Sequence, residues 1–203
     1  MAVISNGTTI IDAGALDSGI ASGAMVLLST QTASSSSTIS FTSGIDSTYK
    51  EYIFKFIDIH AQTNGAKFQF QGDTGSNTNY NQTITSTNFR AYHNEGDDQS
   101  GLSYISGADQ ANGTAFQNLS EDSQGADTDQ SLNGSLHIFD PSSSTHAKHF
   151  IGTLQQAHQN DLSLVGYVAG YFNTTTALTR FRFKASSGNV DSGLIKLYGV
   201  AQS

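Results

Sequence analysis

The chain has 203 residues, a formal net charge of −8, one proline, and neither cysteine nor tryptophan. Charged residues make up 13% of it, against a usual share of about 25%. Disulfides, thiol catalysis and Cys-ligated metal are thereby excluded, and without a basic face no nucleic-acid partner is expected.

Ser, Thr, Asn and Gln replace the missing charge, a composition that suits sheet surfaces. The length fits one domain burying roughly 70% of its unfolded surface. No long segment has the three-and-four apolar spacing of a helix. The opening, MAVISNGTTIIDAGAL, has neither a basic n-region nor a long apolar core, so no export signal is expected. The apolar run around Ala24–Leu28 is too short to span a membrane, and no membrane partner is expected.

In chain order, residues 1–23 read as an extended N-terminal arm with Ile10 and Ile11 as a short apolar anchor. Residues 24–203 read as a single β domain. Met25–Gln31 is a first strand, Thr32–Ser37 a Ser-rich turn and Thr38–Phe41 a second strand. Lys50–Ala61 is the strongest. Strict alternation places Tyr52, Phe54 and Phe56 on one face and Ile53, Ile57 and Ile59 on the other. Apolar residues on both faces imply a central strand, or one whose outer face meets another subunit. Lys67–Gln71 alternates with Phe68 and Phe70 inward and Lys67, Gln69 and Gln71 outward.

Gly72–Asn81 reads as a polar loop and Gln82–His93 as a strand. Asn94–Ser131 is polar and irregular, with short strands near Leu102–Ile105 and Thr114–Leu119. Leu132–Phe139 resumes the β pattern and stops at the Asp140–Pro141 turn. His149–His158, Leu162–Phe172, Ala177–Ala185 and Gly193–Val200 follow. In the last, Ile195 and Leu197 share one face, with Leu194, Tyr198 and Val200 on the other. This series predicts an all-β, antiparallel β-sandwich, and eight or more strands fit the two four-stranded sheets of a jelly roll.

Charge is unevenly placed. Residues 91–147 hold nine acidic residues and no Lys or Arg, whereas five basic residues follow from Lys148 onward. Arg180, Arg182 and Lys184 alternate on one strand face. They read either as a basic docking face or as an edge strand kept soluble by charge.

Few residues suggest chemistry. There is no HExxH, GxSxG, P-loop or GxGxxG pattern, and no catalytic residue, cofactor or metal is expected. Asp73, Gly75, Asn77 and Asn79 faintly resemble a calcium loop without its closing Glu, and so read as a polar turn. Glu121, Asp122, Asp127 and Asp129 are a second acidic group. Glu95 and Glu121 are the kind of carboxylates a glycosidase pairs, although most acids in polar loops are simply solvated. For glycan stacking the candidates are Tyr80, Tyr92 and Tyr104, with Tyr167 and Tyr171 behind them.

Several blocks resemble structural proteins of marine tailed bacteriophages: MAVISNGTTIIDAGALDSG, STISFTSGIDSTYKEYIFKFIDIH, SNTNYNQTITSTNFRAYH, HIFDPSSSTHAKHF, GYFNTTTAL and KASSGNVDSGLIKLYGV. Together they span nearly the whole chain. The resemblance implies a virion component with a β-sandwich fold and carries over no catalytic residue; with no export signal expected, synthesis in a host cytoplasm is the matching expectation. The leading expectation is a capsid decoration (cement) protein, a homotrimer whose partners are the major capsid protein and copies of itself. A tail fibre or receptor-binding tip touching a host-surface glycan is the alternative, and a carbohydrate-binding module the third reading.

Overall fold

The computed structural model describes residues 3–5, 7–12, 15–16, 25–120 and 123–201, and among these there is no helix. Three short strands come first: β1 (Val3–Ser5), β2 (Thr8–Asp12) and β3 (Ala15–Leu16). They pair antiparallel in the order β1-β2-β3 as a small sheet of their own. The expected arm thus carries local β structure. The rest of segment 1–23 lies outside the described residues.

Twelve strands build the main body. They are β4 (Met25–Ser36), β5 (Ile39–Phe41), β6 (Glu51–Ala61), β7 (Phe68–Thr74), β8 (Ile84–Asn94), β9 (Ser100–Tyr104), β10 (Gln117–Asn118), β11 (Leu132–Phe139), β12 (Lys148–His158), β13 (Leu162–Phe172), β14 (Leu178–Ala185) and β15 (Val190–Val200). An eight-stranded sheet, β4-β15-β6-β11-β12-β13-β8-β9, faces a four-stranded one, β10-β7-β14-β5. All their pairings are antiparallel. The expected β-sandwich is therefore present, and β15 ends the series as an inner strand, as its two-faced pattern implied.

The even division into four and four strands does not form. β12 and β13 pair over all eleven residues, and β13 pairs with β8 over eleven more. The hairpin series therefore continues across one wide sheet instead of folding over. The small sheet stays narrow because β5 and β10 have only three and two residues.

Three local expectations are corrected. Thr32–Ser36 is not a turn: β15 offers a ladder to Thr32, Ala33 and Ser34, so β4 runs on to Ser36. Ile59 does not share a face with Ile53 and Ile57. Between Phe56 and Ile59 the β6–β11 register slips by one residue. Asp58 adopts φ 51° there, and its N–H is held by Asn133 Oδ1 at 2.9 Å. The extra residue turns Ile59 and Ala61 onto the core face, where they are 1% and 3% exposed. Finally, Gln71 points into a covered layer and is fully buried.

The core lies between the two sheets and is unusually aromatic. Phe183 sits at its centre, with ring centroids 4.9 Å from Phe54, 5.4 Å from Phe56 and 5.8 Å from Phe68. Phe70, Phe150 and Phe172 extend the cluster toward β12 and β13. Most of these contacts are edge-to-face, the arrangement ring quadrupoles favour.

Candidate interaction surface

The residues expected to form sites do not converge. The strand β2 contains Ile10 and Ile11, and Ile11 pairs with Val3 and Leu16; the two isoleucine side chains lie outside the described residues. Arg180, Arg182 and Lys184 share the outer face of the small sheet, as alternation requires. β14 is an inner strand, however, between β7 and β5, so the edge-strand reading is corrected. The Arg182 guanidinium lies 3.9 Å from the Tyr80 ring centroid and donates to Ser40 Oγ at 2.9 Å. Lys184 Nζ lies 4.8 Å from the Phe116 ring centroid. All three cations are half-buried. Two of them are already spent on intramolecular cation–π contacts, so this face is not an open basic patch.

The three tyrosines point in three directions. Tyr80 is only 2% exposed and lies beneath Arg182, which leaves its ring unavailable for stacking. Tyr92 is half-buried on the inward face of β8, with Arg90 over its ring at 5.2 Å. Only Tyr104 is open, at 57% exposure. Its hydroxyl donates to the Asp109 carboxylate, and this bond holds the phenol above its ordinary pKa.

The polar loops close on themselves. Asp73 is fully buried. Its carboxylate accepts the N–H groups of Thr74 and Tyr80, both at 2.8 Å, and Gln82 Nε2 at 3.0 Å. Those oxygens tie the loop, which fits the polar turn rather than a calcium site. Gln71 Nε2 donates to the carbonyls of Gln82 and Ala115 at 2.9 and 3.0 Å, and Gln71 Oε1 accepts Gly72 N–H at 2.9 Å. It thereby pins the irregular segment 105–120 onto β7. That segment also lengthens the wide sheet: Ser86 N–H donates to Gln110 O, and Ile105 N–H to Asn88 O.

Asp127 and Asp129 border a cleft of about 630 Å³ with His93, His158 and Asp161. Glu121 and Asp122 lie outside the described residues. No group of three or more His, Cys, Asp or Glu side chains able to hold a metal occurs among the described residues.

What the sequence reading missed is the outer face of the wide sheet. The four-stranded sheet covers only the inner face. On the other, Leu102 is 74% exposed, Ile151 52%, Phe89 42% and Tyr167 39%, and Tyr104 joins them. The register makes these residues neighbours: Tyr104 pairs with Phe89, and Phe89 with Tyr167. Phe89 and Tyr167 stack at 4.9 Å with 13° between their planes. Ala169 and Gly170 leave a shallow apolar hollow of about 330 Å³ beside them, edged by His149, Ile151 and Tyr171. Alternation in β8, β12 and β13 was readable; that one of the two faces stays uncovered was not.

Comparison of the chain with known protein families, with characterised proteins and with solved structures finds no match.

Proposed function

We propose that this chain is a structural component of a bacteriophage virion, a capsid decoration protein that binds the head shell and other copies of itself. The observation that carries the reading is the uncovered apolar face of the eight-stranded sheet. The patch is at the upper end of what a monomeric protein exposes, and its aromatic make-up is that of an interface centre. The motif blocks resembling phage structural proteins supply the virion context. A cement protein acts by bridging neighbouring shell subunits, so it needs broad contact surfaces and no reactive group. A jelly-roll topology for the sandwich belongs to the same proposal.

Quantitative mass spectrometry of purified particles tests this. Decoration of a symmetric shell implies on the order of hundreds of copies. A count near a dozen would instead assign the chain to the tail. One observation favours that second reading: Phe89 and Tyr167, stacked on each other with 13° between their planes, are 42% and 39% exposed, which leaves aromatic surface open to a sugar ring. Saturable binding on a glycan array, lost in Tyr167→Ala, would support it.

A further inference from the structure

The outer face of the wide sheet is polarised along its width. Its β9 side carries Phe89, Leu102, Tyr104, Ile151 and Tyr167. No Lys or Arg lies on the outward positions of β8, β9, β12 or β13. Around that side stand Asp109, hydrogen-bonded to Tyr104, and the exposed Asp97–Asp98 turn.

The β4 side is the opposite. Lys55 and Lys196 are direct cross-strand partners on the outward face of β6 and β15. Like charges placed so are destabilising, and neither lysine has an ion-pair partner among the described residues. Beside them Leu27 pairs with Tyr198, and Leu27 is 52% exposed. Between the two sides, Glu51 and His137 satisfy each other at 2.6 Å.

We propose that the β9 side of one copy docks on the β4 side of the next, so that copies of this chain join head to tail into a closed ring. Charge complementarity selects the occupant. The uncompensated lysine pair meets the acidic rim, while the aromatic patch meets Leu27 and Tyr198. A patch facing its own copy would instead set Asp97, Asp98 and Asp109 against themselves. The area is adequate. The five exposed side chains leave roughly 500–600 Å² uncovered, at the top of the range for a monomer's largest patch and most of the ~800 Å² each partner gives a stable interface. A contact between two different patches closes into a ring when its rotation permits.

The inference rests on the self-association within the proposed role, yet the two fail separately. Particles with copies in the hundreds but a purified protein that stays monomeric would overturn the ring and leave the decoration role standing.

The test is native mass spectrometry and sedimentation of the full chain, with two variants. Leu102→Glu breaks the β9 side at a solvent-exposed position. Lys55→Glu breaks the β4 side by pairing with Lys196 internally, and should fold at least as well as the parent. The wild type is expected to form a closed oligomer that weakens with salt. Each variant alone should self-associate at least about tenfold more weakly. Mixed together, they should form a one-to-one heterodimer, because one intact contact remains between them. A wild type that is monomeric would overturn the proposal. So would assembly surviving in Lys55→Glu while lost in Leu102→Glu, which indicates a symmetric patch-to-patch dimer, or variants that do not combine on mixing.

Discussion

Replacing Gln71 by leucine sets two readings of one strand against each other. If Gln71 were an outward residue of a half-buried strand, leucine would be neutral. In the structure it is fully buried. Its amide donates to two backbone carbonyls, of Gln82 and Ala115, and accepts the N–H of Gly72. Leucine fills a similar volume and makes none of these bonds. Each buried group left without a partner costs about 1–3 kcal/mol, and carbonyls, with a second lone pair, fall at the low end. Ala115 O keeps Gln110 Nε2 at 3.1 Å, so two such groups, less about 1–2 kcal/mol for the more apolar side chain, give a net loss of about 1–3 kcal/mol. For a chain of this length that is a fall in Tm of roughly 3–10 °C. Urea unfolding followed by far-UV circular dichroism measures it, and hydrogen exchange should show segment 105–120 opening first. A variant within about 0.5 kcal/mol of the parent would mean that Gln71 does not hold that segment.

Other substitutions probe separate parts of the fold. Phe183→Ala empties the centre of the aromatic core and should cost about 3–5 kcal/mol in denaturant unfolding, whereas Phe183→Leu should cost far less. Gly193 has φ 122°, and a Cβ there would stand 2.6 Å from Asp58 O, at the β6 bulge. Gly193→Ala should therefore destabilise by at least about 2 kcal/mol, and Gly75→Ala, where a Cβ meets nothing within 4 Å, should cost less. Lys148 is fully buried, and its Nζ donates to His146 O at 2.6 Å and Thr174 O at 3.2 Å. Burial lowers its pKa below the ordinary 10.5. The unfolded chain then binds the extra proton between the folded pKa and 10.5, so the Lys148 contribution to stability rises with pH across that window. Lys148→Met should cost about 1–2 kcal/mol at neutral pH, and the gap to the parent should widen toward pH 10.5; a constant gap would refute the charge argument.

Much of this could be read from residue order alone. Period-two alternation located β11 and β13 to the residue, and β5, β6, β12, β14 and β15 to within a few, because a strand half-facing a core repeats every two residues. Ile195 and Leu197 fell on the core side for that reason. The register of Tyr52, Phe54 and Phe56 was also legible, but only up to Asp58. There a bulge inserts a residue that alternation cannot anticipate, since it depends on Asn133 and Gly193 from distant strands. The expected sites fared differently. Tyr80, Arg180, Arg182 and Lys184 were identified by residue type, yet a tyrosine or arginine is equally at home as a stacked, half-buried pair, and only packing decides.

Residue order by itself determined that the chain is antiparallel β, where most of its strands run, and which side chains alternate together within an unbulged strand, since these depend on local sterics and near neighbours. The tertiary structure alone decided how many strands each sheet holds, that Gln71 and Asp73 are buried, and that one face of the wide sheet stays open with aromatics at one side and lysines at the other. Those are properties of pairings between segments up to about 175 residues apart, such as Met25 of β4 with Val200 of β15. They exist only once the chain has closed on itself and shown which apolar face finds a cover and which does not.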